Sequence, residues 1–211
     1  MVKSRFSLLP MTASRWLWTG TLLAALVAVT LAIATRAATP ANGVTPGGHA
    51  VVGAPAPHFA LPAEQNGQLL AQPISLAAER GHPVVLFFFY SLCPHCLDQA
   101  AAVQTLAAQE TVHGLGVFYI NSPAESSGII AAYAQRLGIT APVLLDKSGR
   151  VAANYGIASY PATVLVDGNG TVREVWIGET GVDSLRSAIT PLLAGALRAP
   201  AAQTAWMGRH V

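Results

Sequence analysis

Hydrophobic and polar positions divide the chain into an apolar N-terminal run, an aperiodic stretch and a body of alternating strand and helix patterns. Residues 83–90 (PVVLFFFY) form a continuous apolar run, typical of a strand buried on both faces. Residues 96–109 are rich in Ala and Gln and predict a helix. Residues 115–121 (LGVFYIN) predict a second buried strand, and residues 127–138 predict a helix that ends at Gly138.

The second half of the body predicts a short strand, a hairpin and a last helix. Residues 142–146 (PVLLD) are the short strand, and two β-rich runs flank DGNG within residues 163–178, which indicates an antiparallel hairpin. Asp183 suits the N-cap of the last helix, which we expect to end or kink at Pro191. This order predicts an α/β fold, with a mixed central sheet and helices on both faces.

The N-terminal run has the length and polarity of a membrane span. Residues 16–34 carry no charged side chain and would be about 28 Å long as a helix, close to the hydrocarbon thickness of a bilayer. We therefore predict a transmembrane anchor over residues 16–35, in contact with the lipid bilayer. The alternative is a signal peptide, because AIA ending at Ala34 fits a cleavage pattern, and cleavage there would give a secreted periplasmic protein.

The flanks of this run predict its orientation. Lys3, Arg5 and Arg15 precede it, and only Arg36 follows closely. Because positive flanks stay in the cytoplasm, residues 1–15 are predicted to be cytoplasmic and the body to be extracytoplasmic, on the periplasmic side.

Aperiodic segments border the predicted domain. Residues 36–50 are rich in Ala, Gly, Pro and Thr and indicate a flexible linker. Residues 196–211 indicate a loosely ordered tail, which leaves residues 51–195 as the folded domain. The formal net charge is +2, and the body has no basic block, so nucleic-acid binding has no support.

The candidate chemistry lies in the two cysteines of the chain, Cys93 and Cys96. Cys93 follows the predicted strand directly, and Pro94 suits the first turn of the following helix, so Cys93 is expected at a helix N-terminus. Unpaired N–H groups and the helix dipole there stabilise a thiolate. We therefore expect Cys93 to be the nucleophile and the more buried Cys96 to be the resolving thiol, with Pro94 and His95 tuning the couple.

Three other uses of the cysteine pair have less support from the sequence. A structural zinc site needs four ligands, and no histidine has ligand spacing to this single pair. A permanent disulfide over so short a loop constrains the unfolded chain little. A peroxidase would need polar residues that hold a peroxide, whereas residues 87–92 are almost wholly apolar.

Several motifs in order resemble the thioredoxin-like proteins, and within them the membrane-tethered TlpA/ResA type of the redoxin (AhpC/TSA-like) group. They are VGAPAPHFAL, ISLAAERGHPVVLFFF, CPHC and PVLLDKSGRVAANYGIASYPATVLVDGNG, and the resemblance covers roughly residues 52–194. The resemblance implies a thioredoxin-like fold and a cis peptide bond between Tyr160 and Pro161 that packs against the cysteines. The backbone of Tyr160 is then expected to pair with an extended substrate chain.

Departures from the family's pattern bear on the direction of electron flow. Phe87 stands where thioredoxins carry a buried Asp, Leu92 stands where Trp is usual, and Gln99 stands where Glu is common in TlpA-type reductases. The stretch around CPHC is similar to that of the DsbA-type oxidases, whose loop is strongly oxidising. The scaffold thus resembles reductases, for example those acting before haem attachment to cytochrome c, while the loop resembles oxidases.

We therefore predict an extracytoplasmic thiol–disulfide oxidoreductase that acts on protein thiols or disulfides. It would need no cofactor beyond the Cys93–Cys96 disulfide, and a membrane redox partner is expected. The alternative is a module that handles copper or another soft metal through the same two cysteines.

Overall fold

Strands and helices alternate in the computed structural model, which describes residues 50–196. Its strands are β1 (Ala60–Leu61), β2 (Ala63–Gln65), β3 (Gln68–Leu69), β4 (Ile74–Ser75), β5 (Val84–Phe89), β6 (Gly116–Asn121), β7 (Val143–Leu145), β8 (Ala162–Val166) and β9 (Val172–Ile177). Its α-helices are α1 (Pro94–Glu110), α2 (Ser127–Leu137), α3 (Arg150–Asn154) and α4 (Val182–Ala196). Short 3₁₀ turns lie at Leu76–Glu79 and Thr111–His113.

Seven of these strands form one mixed sheet in the order β3-β2-β7-β6-β5-β8-β9. Strands β5, β6 and β7 are parallel, and β8 and β9 add an antiparallel pair beside β5. Strands β1 and β4 pair separately. The predicted α/β fold with a mixed central sheet is confirmed.

Strand β5 is the middle of the core, because every one of its residues is buried. Its side chains alternate between two clusters, one on each face of the sheet. Phe87 packs with residues of α1, α2 and α4 on one face, and Phe88 packs with residues of α3 on the other. This two-sided burial explains why the strand has no polar alternation, and it confirms helices on both faces.

The turn of the hairpin is stabilised by its own aspartate. Strands β8 and β9 flank the predicted DGNG turn, and Asp167 Oδ1 accepts hydrogen bonds from the N–H groups of Asn169 and Thr171, each at 2.9 Å. Gly138 also ends α2 as predicted, with a left-handed backbone (φ +65°).

The last helix differs from the prediction at its N-cap, and it does not end at Pro191. Helix α4 begins at Val182, so Asp183 lies inside its first turn and accepts a hydrogen bond from Arg186 instead of capping the helix. The helix also continues past Pro191 to Ala196. The reason is packing: Leu185, Ile189 and Leu193, which lie at helical spacing, are buried against the sheet.

Other elements were not predicted. Helix α3 and strands β1 to β4 are each five residues or shorter, and none has a clear period in the sequence. The first helix starts at Pro94, as the prediction of Cys93 at a helix N-terminus requires.

The predictions for the N-terminal segment, the anchor and the linker up to residue 49, and for the tail beyond residue 196, lie outside the described residues. Among residues 50–196, no helix is long and apolar enough to cross a membrane.

Candidate active site

Cys93 lies where the chain leaves β5 and enters α1. It has an extended backbone (φ −82°, ψ 113°) and is the N-cap of α1, with Pro94 in the first turn. Its sulfur accepts a hydrogen bond from the N–H of Cys96 at 3.2 Å. The structure therefore places this sulfur at the positive end of the helix dipole, where negative charge is stabilised.

Cys96 lies one turn into α1 and is fully buried, whereas Cys93 is 4% exposed. Both are free thiols. Burial, followed by the hydrogen bond with Cys93, raises the pKa of Cys96 to about 12. Burial therefore keeps Cys96 in the neutral thiol form well above the pH at which an ordinary cysteine ionises.

The loop before β8 faces the first cysteine from across the site. The Tyr160–Pro161 bond is cis, as the sequence predicts. The carbonyl oxygen of Tyr160 lies 3.8 Å from the sulfur of Cys93. The Pro161 carbonyl accepts a hydrogen bond of 2.8 Å from the N–H of Gly178, which ties this loop to the end of β9.

Apolar side chains surround the entrance to Cys93. Tyr90 and Tyr160 pack edge to face, with ring centroids 5.6 Å apart. Leu92, directly before Cys93, is 84% exposed, and Ile177 at the end of β9 is exposed as well.

His95 contacts an acidic residue on the far side of the site. Its Nδ1 lies 2.5 Å from Oε1 of Glu179, in the loop between β9 and α4. The two side chains are 74% and 47% exposed. The Cys93 sulfur instead contacts the N–H of Cys96 and the carbonyl of Tyr160.

Gln99 connects the same helix to the same loop. Its side chain is buried, and its Oε1 accepts a hydrogen bond of 2.5 Å from the N–H of Thr180. Its Nε2 donates to Oγ1 of Thr163 on β8 at 3.5 Å. An uncharged amide therefore occupies the position, three residues after Cys96, where TlpA-type reductases commonly carry a carboxylate.

A carboxylate lies on the other side of the CPHC segment. Glu125 accepts hydrogen bonds from the N–H (2.8 Å) and the hydroxyl (2.6 Å) of Ser91, two residues before Cys93. It also accepts one from Nδ2 of Asn121 at 2.8 Å. Glu125 thus holds Ser91, in the segment of chain that leads to Cys93. Its negative charge also contributes to the raised pKa of Cys96.

Sequence reasoning did not find Glu125 or Glu179. Each is a single acidic residue in a loop, and each contacts its partner across a large gap in sequence, 34 residues for Ser91–Glu125 and 84 for His95–Glu179. The only signal is that each follows a predicted strand by a few residues, at the edge of the sheet that carries Cys93.

Comparison with known families agrees with this geometry. The AhpC/TSA family matches residues 52–175, which include both cysteines and the cis-proline. The chain belongs to the AhpC/TSA family. Members that carry a Cys-X-X-Cys couple such as Cys93–Cys96 can exchange disulfides by attack of one thiolate and resolution by the other thiol.

Relatives of this AhpC/TSA protein include thioredoxin-like and thiol–disulfide exchange proteins. Thioredoxin-like protein YneN of Bacillus subtilis is 30% identical over 128 residues, covering 60% of this chain and 71% of YneN. Thiol-disulfide oxidoreductase ResA of Geobacillus thermodenitrificans is 28% identical over 127 residues, covering 60% of this chain and 70% of ResA. A crystal structure described as thiol:disulfide interchange protein DsbE of Chlorobium tepidum is 25% identical, with a TM-score of 0.60, covering 68% of this chain and 98% of that protein.

These likenesses confirm the thioredoxin-like fold and the TlpA/ResA-type resemblance. This AhpC/TSA protein is a thiol–disulfide oxidoreductase of the ResA/DsbE type. The metal-handling alternative gains no support: over residues 50–196, no three His, Cys, Asp or Glu side chains are grouped as metal ligands.

Proposed function

We propose that this chain is an extracytoplasmic thiol–disulfide oxidoreductase that donates its Cys93–Cys96 disulfide to protein substrates. The observation that carries the proposal is the position of the Cys93 sulfur, which caps α1 and accepts the N–H of Cys96 at 3.2 Å. These groups stabilise a thiolate on Cys93. A stabilised thiolate favours the reduced protein and makes the disulfide more oxidising.

The residues around the couple also favour donation. Phe87 lies in the same buried cluster as Cys96, and neither Phe87 nor Gln99 supplies a carboxylate at its own position. The reduced state is therefore not opposed by a buried negative charge at either position.

The proposed exchange proceeds in two displacements. A substrate thiolate attacks the sulfur of Cys93 in the protein disulfide, the Cys93–Cys96 bond breaks, and Cys96 leaves and takes up a proton. A second substrate thiolate then attacks the substrate sulfur of the mixed disulfide, and Cys93 leaves as a thiolate. Two electrons pass from the substrate to the protein, and the substrate gains one disulfide.

The cis-proline loop is proposed to hold the substrate chain. The carbonyl of Tyr160 faces the sulfur of Cys93, and Pro161 has no N–H that could compete for hydrogen bonds. An extended substrate segment can therefore pair with the backbone of Tyr160 in the manner of an added strand. Its apolar side chains can contact Tyr90 and Leu92 at the entrance.

The location rests on the sequence. The apolar run over residues 16–34, with basic residues before it, supports an N-terminal membrane anchor and a domain on the periplasmic side. Cleavage near Ala34 would give a soluble periplasmic form with the same active site. A membrane redox partner would restore the disulfide after each turnover.

Trapping of mixed disulfides tests this function. A Cys96→Ala variant retains the sulfur that forms mixed disulfides and lacks the neighbouring thiol that can release them, so we expect it to accumulate covalent adducts with extracytoplasmic proteins in cells. Reducing agent should release them, and the matched Cys93→Ser variant should form none. The proposal fails if Cys96→Ala forms no more adducts than Cys93→Ser.

A further inference from the structure

The loop after β9 is held on both sides of Glu179. The preceding residue, Gly178, donates its N–H to the carbonyl of Pro161 at 2.8 Å. The following residue, Thr180, donates its N–H to Oε1 of Gln99 at 2.5 Å. The backbone of Glu179 is therefore fixed to the cis-proline loop at one neighbour and to α1 at the other.

His95 and Gln99 lie on one face of α1, because they are four residues apart in a helix. Gln99 binds Thr180 and His95 binds Glu179. Two side chains that are neighbours on one face of α1 therefore hold two consecutive residues of the loop. Exposed ion pairs usually contribute little, since both side chains must be ordered. Here the backbone that carries the carboxylate is already fixed, so the remaining cost is the ordering of the two side chains, Glu179 and His95.

The contact with Glu179 determines which nitrogen of the His95 imidazole can still donate a hydrogen bond to another group. With Nδ1 bonded to Glu179, that nitrogen cannot donate to the sulfur of Cys93. An imidazole freed from Glu179 could turn toward the thiolate and donate a hydrogen bond to it. The contact therefore limits how strongly His95 can stabilise the reduced protein.

We propose that Glu179 is a positioning residue that holds His95 away from Cys93 and thereby sets the reduction potential of the Cys93–Cys96 couple. This inference rests on the proposed function, because it requires a reversible disulfide. In this way a residue distant in sequence would make the CPHC loop less oxidising than it is with an unrestrained His95. Glu179 acts through His95 and does not touch the reacting sulfurs.

The test compares Glu179→Ala with Glu179→Gln by equilibrating each protein with glutathione at pH 7. Both substitutions remove the charge, but glutamine keeps an oxygen that can accept from Nδ1 of His95. We expect Glu179→Ala to shift the equilibrium about fivefold toward reduced protein, and Glu179→Gln to shift it about half as far on a logarithmic scale.

The same substitutions in a His95→Ala background separate positioning from simple charge. There we expect the difference between Glu179→Ala and Glu179→Gln to vanish. Asp98→Asn is the matched control, because Asp98 is exposed on the same helix and carries the same charge. It should leave the equilibrium unchanged.

Two outcomes overturn the inference. One is an equal shift of the glutathione equilibrium in Glu179→Ala and Glu179→Gln that persists in the His95→Ala background. That result would show that Glu179 acts only through its charge. The other is no shift in either variant. If the wild-type protein itself forms no reversible Cys93–Cys96 disulfide with glutathione, the proposed function fails and not merely the role of Glu179.

Discussion

The N–H of Cys96 donates a hydrogen bond of 3.2 Å to the sulfur of Cys93, while Cys96 itself is fully buried. One short turn of helix thus makes two chemically similar thiols unequal. Cys93 receives a hydrogen bond that stabilises its thiolate, and burial keeps Cys96 in the neutral form. The following predictions test this inequality and the contacts that support it.

Alkylation should distinguish the two thiols. In the reduced native protein at pH 7.5, we expect iodoacetamide to modify Cys93 and leave Cys96 unmodified, because the thiolate is the reactive form and the pKa of Cys96 is raised to about 12. Mass spectrometry of tryptic peptides measures each site. After unfolding in guanidinium, both should react, and equal modification in the native protein would contradict the prediction.

The stability of the reduced protein should fall as pH rises above about 9. In the unfolded chain Cys96 loses its proton near the ordinary pKa of 9.0, while in the folded protein it keeps the proton up to about pH 12. The unfolded state then binds fewer protons, so the free energy of unfolding decreases through this interval.

The oxidised protein is the control for this pH dependence. Its disulfide has no thiol proton, so the fall that remains comes from other groups, among them the buried tyrosines Tyr119, Tyr133 and Tyr155, whose pKa values burial raises. Denaturant unfolding of both forms between pH 8 and pH 11 should give the steeper decline for the reduced form. Equal slopes would show that Cys96 does not contribute.

Loss of Glu125 should destabilise the protein. Glu125→Ala leaves the N–H of Ser91 and Nδ2 of Asn121 without their carboxylate acceptor, and we expect a loss of about 2 kcal/mol in the free energy of unfolding. Glu174→Ala, at an exposed position of β9, should change it by less than about 0.5 kcal/mol. Similar losses in both variants would contradict the role of Glu125.

Replacing Gln99 should loosen the loop after β9. Gln99→Leu fills a similar volume but leaves the N–H of Thr180 without its acceptor, so we expect a loss of about 1–2 kcal/mol in the free energy of unfolding. Hydrogen exchange at Thr180 should also become faster. Gln68→Leu, at an exposed position of β3, is the control, and unchanged exchange at Thr180 in Gln99→Leu would refute the contact.

Long apolar runs and turn motifs made the framework predictable from sequence. The run that forms β5 can be buried on both faces only in a central strand, and DGNG between β-rich segments fits only a tight turn. CPHC after that strand placed Cys93 at the start of a helix, while the loop at Tyr160 and Pro161 that faces it was expected from the resemblance to thioredoxin-like proteins. These features are local, and the structure has them where they were expected.

Contacts between distant loops were not predictable in this way. Neither Glu125 nor Glu179 has a local pattern that points to Ser91 or His95, because the pairing exists only once the sheet brings strand ends together. The contact of His95 with Glu179 was not predicted, for the same reason.

The reduction potential of the Cys93–Cys96 couple tests the central claim most directly. It can be measured by equilibrating the purified domain with glutathione and quantifying the oxidised fraction. Donation of disulfides predicts a potential above about −200 mV, between those of thioredoxin at about −270 mV and DsbA at about −120 mV. A potential at or below about −270 mV would contradict donation and make the protein a reductant.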